Sequence, residues 1–421
     1  MTTTPPQAEA LTTPLADLRH LYLAGPRNAG KSSFLNLLFE KEVAIVSPIP
    51  GTTTDPVTRK IELGPLGPVA LTDTAGVDDE GELGLLRVEK TLDRLRGSDL
   101  VIFLTPLSRT LTPQEEALEA FLLKKGGPIL YVATHSDQTP ELSKQTWLQA
   151  RQSLPLDALT GQGLPAIKER LFQLAGALEN EMPPLEGLIG EGDLVLLVTP
   201  IDLAAPQGRL ILPQVKTIRD ALDKDAAVLV CKERELRHFY AMLRTPPKLV
   251  VCDSQAFSSV AADLPPHQPL TSFSLLFARI KGDLNLMEQG LRVLESLGES
   301  SMGATSHEGR PVAGGPKKVM ILESCNHHRQ ADDIATVKIP RLLHQLVSPQ
   351  LEIVALRGMP TAQELQDVAL VIHCGSCTLT RTRMQDRIKQ LTQGGVAVTN
   401  FGMVLAWANG LIPRALTPLQ E

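Results

Sequence analysis

Apolar residues in this chain gather in short uninterrupted runs, separated by stretches in which they recur every three or four positions. Residues 20–24 (HLYLA), 69–72 (VALT), 99–104 (DLVIFL) and 128–133 (PILYVA) are runs of the first kind and read as strands buried on both faces. Helical periodicity fills the gaps. One helix follows a Gly-rich turn and runs from Ser32 to about Phe39, and another spans 163–179. Strands alternating with helices predict a parallel α/β sheet.

After a linker-like stretch (EMPPLEGLIGEGD) the pattern begins again. Residues 193–202, 226–231 and 248–255 are strand candidates, with the helix-like VKTIRDALDK and ERELRHFYAML between them. A Gly/Ser/Pro-rich segment, 298–316, precedes a third set of strands, KVMILES, EIVALRG, VALVIHCG and VAVTNFG. The expected fold class is therefore α/β with three α/β domains, at 1–180, 186–265 and 266–421.

Composition limits the class of protein. At 421 residues, 43% hydrophobic and 21% charged, the chain has the makeup of soluble globular material in more than one domain. Its net charge of −6 argues against a nucleic-acid partner. No apolar stretch is long enough for a membrane span, and the N-terminus lacks a basic start before an apolar run. The five cysteines fall as two isolated residues and a C-terminal group of three, which is no disulfide framework. The expectation is a cytoplasmic protein with no membrane and no nucleic acid among its partners.

The sharpest chemistry lies in Gly25-Pro26-Arg27-Asn28-Ala29-Gly30-Lys31-Ser32, which satisfies G-x-x-x-x-G-K-S/T between a strand and a helix. Glycines let backbone N–H groups close around phosphate oxygens, and the helix N-terminus favours negative charge. Lys31 is placed to reach the β- and γ-phosphates and Ser32 to ligate Mg²⁺, with Ser33 beside it. Asp73-Thr74-Ala75-Gly76 follows the VALT strand, where Asp73 can hold the Mg²⁺ shell and Gly76 can sense the γ-phosphate. Pro50-Gly51-Thr52-Thr53-Thr54-Asp55 supplies a threonine able to complete the Mg²⁺ coordination, as a switch loop does.

These motifs resemble the translation-factor-related GTPases of the MnmE/Era type. Asn28 matches the Asn of their P-loop, and Thr53 matches their Mg²⁺-binding threonine, while Thr54 stands where their pattern has arginine. The resemblance implies Lys31, Asn28 and Thr53 as catalytic, and slow GTP hydrolysis stimulated by a K⁺ ion that Asn28 helps to hold. Nucleotide contacts are expected from Gly25, Asn28, Ala29, Gly30, Lys31, Ser32, Ser33, Thr53, Asp73, Gly76 and Asp137. The base-reading motif departs from the family's N-K-x-D: here it is Thr134-His135-Ser136-Asp137, in which Asp137 can still accept from guanine. A later S-A motif has become Asp157-Ala158. Weakened guanine selectivity is the expectation.

A second constellation sits near the C-terminus. Cys325-Asn326-His327 follows VMILES, and His373-Cys374-Gly375-Ser376-Cys377 follows VALVI, both at the ends of predicted parallel strands. C-x-x-C puts two thiolates on one turn, and Cys325 makes three. Residue types alone allow either a 4Fe-4S cluster or a Cys/His zinc site. Cys231 and Cys252 each end an apolar strand and read as small core residues.

Together, the GTPase motifs, the ESCNHH and HCGSC motifs, and the segments APQGRLILPQVKTIRDALD, DSQAF and TSFSLLFARIKGDL resemble the FeFe-hydrogenase maturation GTPases over nearly the whole chain. That resemblance implies a Ras-like P-loop GTPase domain, a small dimerisation domain and a C-terminal parallel-sheet iron–sulfur domain. It implies a homodimeric scaffold that takes up a di-iron precursor, built with two radical-SAM maturases, and delivers it to apo FeFe-hydrogenase. Cys325, Cys374 and Cys377 match the family's cluster thiolates, and His327 and His373 match its histidines, which supply a labile fourth ligand or help hold the precursor. A GTP-dependent zinc metallochaperone or sensor is the alternative.

Overall fold

The computed structural model describes residues 13–42, 45–48, 57–74, 82–178, 181–200, 210–299, 318–324, 333–375 and 379–420. They form two compact units, 1–180 and 181–421.

The first unit is built on a seven-stranded sheet. Its elements are β1 (Arg19–Ala24), α1 (Lys31–Glu42), β2 (Ile45–Pro48), β3 (Val57–Glu62), β4 (Pro68–Asp73), α2 (Glu82–Leu95), β5 (Leu100–Pro106), α3 (Pro113–Lys125), β6 (Ile129–Thr134), α4 (Leu142–Gln149), β7 (Leu154–Leu156) and α5 (Leu164–Gly176). The strand order is β2-β3-β4-β1-β5-β6-β7. β1 runs parallel to β4 and β5, whereas β3 is antiparallel to β4. Alternate residues of the central strands serve opposite cores. Leu21, Leu23, Ile102, Leu104 and Val132 pack on one face, and Tyr22, Ala24, Val101, Phe103 and Tyr131 on the other. That two-sided burial is why these strands read as unbroken apolar runs. The antiparallel β2–β3 edge was not visible in the pattern, because VTRKIE carries polar residues on its less buried positions.

Buried charges tie α3 and α4 to the sheet. Lys144 donates to Glu115 Oε1 at 2.6 Å with both side chains almost wholly enclosed, and Thr105 also bonds to Glu115. Burial pulls the Lys144 ammonium below its ordinary value while Glu115 opposes that shift. A capping box at Thr112 and Glu115 starts α3, so one carboxylate both caps a helix and pairs a buried cation.

The second unit holds two four-stranded sheets. The first has order β11-β10-β8-β9, all parallel. Its elements are β8 (Leu194–Val198), α6 (Leu212–Asp223), β9 (Ala227–Cys231), α7 (Leu236–Met242), β10 (Leu249–Cys252), α8 (Phe257–Asp263), β11 (Leu270–Ser272) and α9 (Phe273–Lys281). This sheet continues through β11, beyond residue 265. Next come α10 (Leu284–Glu299), β12 (Lys318–Glu323), α11 (Ile339–Leu346), β13 (Glu352–Arg357), β14 (Val368–His373), α12 (Arg381–Gln393), β15 (Ala397–Asn400), α13 (Phe401–Ala408) and α14 (Thr417–Gln420). Their sheet, β13-β12-β14-β15, is also parallel throughout.

The two sheets share a core. Leu275, Leu276 and Ile280 of α9 are buried with Met384 and Ile388 of α12 and Met403 and Ala406 of α13. α10 closes tightly on β15: a Cβ at Gly290 would lie 2.2 Å from Val398 O, so only glycine allows that approach. Among the described residues no helix is long and apolar enough to cross a membrane.

Candidate functional site

The phosphate-binding loop leaves β1 at the point where neighbouring strands run to opposite sides of the sheet, β4 on one flank and β5 on the other. Gly25, at φ 148°, turns the chain directly over β5. A Cβ there would sit 2.0 Å from Leu104 O. Asn28 (φ 58°) and Gly30 (φ 83°) continue the turn with left-handed backbone, which Asn and Gly tolerate best. Helix α1 starts at Lys31, so the loop's N–H groups and the helix N-terminus face the same point. Ser32 and Ser33 are exposed in its first turn.

Lys31 Nζ donates to Gly25 O at 3.0 Å and to Pro26 O at 2.8 Å, so the ammonium lies across the loop it is to serve. Asp73, opposite Leu23 in the β1–β4 register, ends β4 close by. Burial raises its carboxyl above the ordinary value, and Lys31, Arg59 and the Thr74 N–H act against that shift. Its Oδ1 is buried with no hydrogen-bond partner among the described residues. An orphaned carboxylate oxygen beside a phosphate cradle suits a hydrated Mg²⁺ ion, and Ser32 and Asp73 are the described residues that would hold it. Thr53 and Gly76 lie outside the described residues.

The base-reading end differs from the expected loss of support in one respect. Thr134 Oγ1 donates to Ala29 O at 2.8 Å and is fully buried. A hydroxyl thus fastens the end of β6 to the phosphate loop. The pattern flagged Thr134 only as a departure, because its partner lies far off in the chain. Asp137 is exposed beyond His135, whose φ is 56°. Asp157 is occupied by its own turn: it accepts from Thr160 Oγ1 at 2.5 Å and from Leu159 N at 2.8 Å, and the Thr160 hydroxyl chiefly holds its carboxyl below the ordinary value.

Of the C-terminal constellation, His373 and Cys374 are described, at the end of β14 beside β12, the adjacent central strands at which that sheet's connections diverge. Ser324, which precedes Cys325, donates its backbone N–H to Cys374 Sγ at 3.3 Å. This contact sets the end of β12 against Cys374, the first cysteine of the C-x-x-C motif. Cys374 and His373 are both buried. His373 Nδ1 lies 2.9 Å from Cys374 O. A carbonyl only accepts, so Nδ1 donates in this contact. A buried thiol receiving a backbone N–H beside an imidazole suits the sulfur-rich coordination of an iron–sulfur cluster. Cys325, His327 and Cys377 lie outside the described residues, and among the described residues no three His, Cys, Asp or Glu side chains converge.

Two residues absent from the motif reading frame this site. Lys281, at the end of α9, is 1% exposed and donates to Leu379 O at 2.6 Å, just past the C-x-x-C segment. Arg387 of α12 is buried, donating to Ser324 Oγ at 2.7 Å and facing His373 Nε2 at 3.4 Å. Neither stands in a local motif, and only the fold brings them here. By contrast, Cys231 and Cys252 are buried core thiols. Burial pushes Cys231 up to about 11 and Cys252 well above the ordinary thiol value.

The loop after β1, the antiparallel β3–β4 pair and the strand order define the first unit as a P-loop GTPase domain of the MnmE/Era type. Residues 20–135 match the family described as 50S ribosome-binding GTPase, residues 185–282 the Hydrogen maturase F dimerization domain, and residues 314–418 the Hydrogen maturase F tetramerization domain. The chain belongs to the hydrogen maturase F family. It is 35% identical over 162 residues to the tRNA modification GTPase MnmE of Acidovorax sp. (strain JS42), covering 37% of this chain and 34% of that protein. Identity to MnmE of Methylobacterium sp. (strain 4-46) is 38% over 176 residues, covering 41% of this chain and 34% of that one. The chain thus spans about a third of the length of these curated relatives. Among solved structures it is similar to the G domain of the T. maritima FeoB iron transporter, with 23% identity, a TM-score of 0.29, and coverage of 38% of this chain and 99% of that one.

Proposed function

We propose that the protein is a GTP-hydrolysing scaffold and carrier that binds a 4Fe-4S cluster and a di-iron precursor and hands the precursor to apo FeFe-hydrogenase in the cytoplasm. The observation that supports this reading is the contact from the N–H of Ser324, the residue before Cys325 in the chain, to Cys374 Sγ at the ends of two central parallel strands. Family membership supplies the context, with both Hydrogen maturase F domains behind the GTPase domain.

In the GTPase unit, the loop amides and Lys31 would bind the phosphates, while Ser32, Thr53 and Asp73 would hold Mg²⁺. When bound, Mg²⁺ offsets charge developing on the phosphoryl oxygens. Lys31 must leave the carbonyls of Gly25 and Pro26 to reach the phosphates, so binding exchanges two neutral acceptors for anionic ones. Asn28 would hold K⁺, and Val77 follows Gly76 in the sequence where a water-orienting glutamine would stand, which supports slow, K⁺-stimulated turnover. In the second unit, Cys325, Cys374 and Cys377 would hold the cluster, with His327 and His373 able to close the site or grip the precursor. Two radical-SAM maturases supply that precursor.

Homodimerisation uses the middle sheet. β9 is an edge strand with Val230 41% exposed, and Val215 and Leu222 of α6 are exposed beside it in the chain. An open, apolar edge invites a second copy.

The test is anaerobic reconstitution with iron and sulfide, followed by EPR of the reduced protein and of Cys374→Ala. A 4Fe-4S signal that the substitution abolishes or alters supports the reading. Stoichiometric Zn²⁺ with no cluster would overturn it in favour of a zinc chaperone.

A further inference from the structure

The parallel strands of the middle sheet all begin at one end, and there lies a cavity of about 640 Å³. It is bounded by residues 187–190, by Asp193 ahead of β8, by Lys248 ahead of β10, by residues 266–269 ahead of β11, and by Arg414 in the segment leading to α14. That volume is typical of sites for small organic molecules.

The walls are held from several directions. Gln268 is buried, accepting from the Tyr240 hydroxyl of α7 at 2.8 Å and donating to Pro247 O at 2.8 Å. Arg414 Nη2 donates to Pro265 O at 2.8 Å and to Gln268 O at 3.3 Å. Thr271 Oγ1, buried in β11, donates to Ala415 O at 2.9 Å and ties the Arg414 segment to the sheet. A preformed cavity gives up little entropy when it is filled.

The charge on these walls is locally unbalanced, in a chain whose net charge is −6. Lys248 and Arg414 bring two cations and His267 a ring that can donate, while the lining carboxylate, Asp193, accepts from Gly190 N–H at 2.8 Å. Among the described residues, Lys248, His267 and Arg414 form no ion pair. The Arg414 guanidinium meets only neutral carbonyls, and its Nε is buried with no hydrogen-bond partner among the described residues. A permanent charge set among neutral groups favours an anion beside it. Donors from three separate segments suit a tetrahedral oxyanion, whose three free oxygens can each accept from one, better than a planar carboxylate with two. Leu188, Ile189 and Pro266 offer apolar surface to an organic body.

We infer that this cavity is a binding site for a small organic phosphate monoester, with Arg414 and Lys248 answering the dianion and His267 donating a third hydrogen bond. The site shares no residue with the nucleotide or cysteine motifs and does not rest on the iron–sulfur reading.

The experiment uses the full chain saturated with Mg²⁺ and GDP, so that the phosphate loop is filled. Calorimetric titration with phenyl phosphate is expected to show one site per chain. Inorganic phosphate, which lacks the ring, and benzoate, which lacks the dianion, should each bind about tenfold more weakly or less tightly still. Lys248→Glu and Arg414→Gln are each expected to weaken phenyl phosphate about tenfold or more. Lys248 is exposed, so Lys248→Glu decides the matter should Arg414→Gln fail to fold. Absence of saturable binding up to about 1 mM phenyl phosphate would overturn the proposal. So would an affinity that Lys248→Glu leaves unchanged, and benzoate binding as tightly as phenyl phosphate would overturn the phosphate assignment.

Discussion

At Thr134 a single hydroxyl connects the base-reading end of the GTPase site to its phosphate end, through Ala29 O at 2.8 Å. Thr134→Val keeps the shape and removes the donor. A net hydrogen bond is worth about 1 kcal/mol, so nucleotide affinity should fall about fivefold while the melting temperature changes little, as titration with a fluorescent GTP analogue would measure. The core thiols make a prediction in pH. Burial raises Cys231 to about 11 from an ordinary 9.0, so the folded thiol stays protonated where the unfolded one ionises. Its contribution to stability is intact below 9.0 and is lost as pH rises through about 11. Alkylation by iodoacetamide at pH 8 should accordingly be slow in the folded protein and fast in denaturant. These residue-level effects differ in legibility. The cysteines' burial could be read from the apolar strands they end, whereas Thr134 looked like a lost function because its partner is far away in sequence.

Elements extend these contacts into surfaces. β9 lies at the edge of the middle sheet, and Val230 near its end is open to solvent. Edge strands with apolar side chains pair with other chains unless charge blocks them. Val230→Lys should shift the protein toward monomer, raising the dimer dissociation constant on the order of tenfold or more by sedimentation, with the circular dichroism spectrum unchanged. Helix α9 illustrates the opposite case. Its apolar face, Leu275, Leu276 and Ile280, sits in a core common to both sheets of the second unit, and its last residue, Lys281, reaches Leu379 O. The helix thus helps hold the chain at Leu379. Helical periodicity made its existence foreseeable, but not which neighbour its buried lysine would find.

At the scale of the molecule, the chain divides at residues 180 and 181 into two units with separate cores. Each buries its own apolar surface, so chains ending at 178 and beginning at 181 should each melt cooperatively. Calorimetry of the full chain should resolve into transitions close to those of the two pieces; a single transition absent from both pieces would contradict this. The sequence pattern placed a further boundary near 265. The shared core of Leu275, Met384 and Met403 shows why periodicity is a poor guide there: alternation reports that a residue is buried, not which sheet buries it.

The phosphate loop was legible from residues alone because its chemistry is contiguous. Strand, glycines, lysine and helix N-terminus follow one another, and local backbone preference is enough to form the cradle. The strand–helix alternation was legible for the same reason. Contacts between distant segments were not. Thr134 on Ala29, Lys281 on Leu379, Ser324 on Cys374 and Arg387 at His373 depend on strand order and on how helices settle over the sheets. That order follows from many weak packing terms summed over whole units. No local window of sequence contains that sum, and only the folded chain reveals which side chains it brings together.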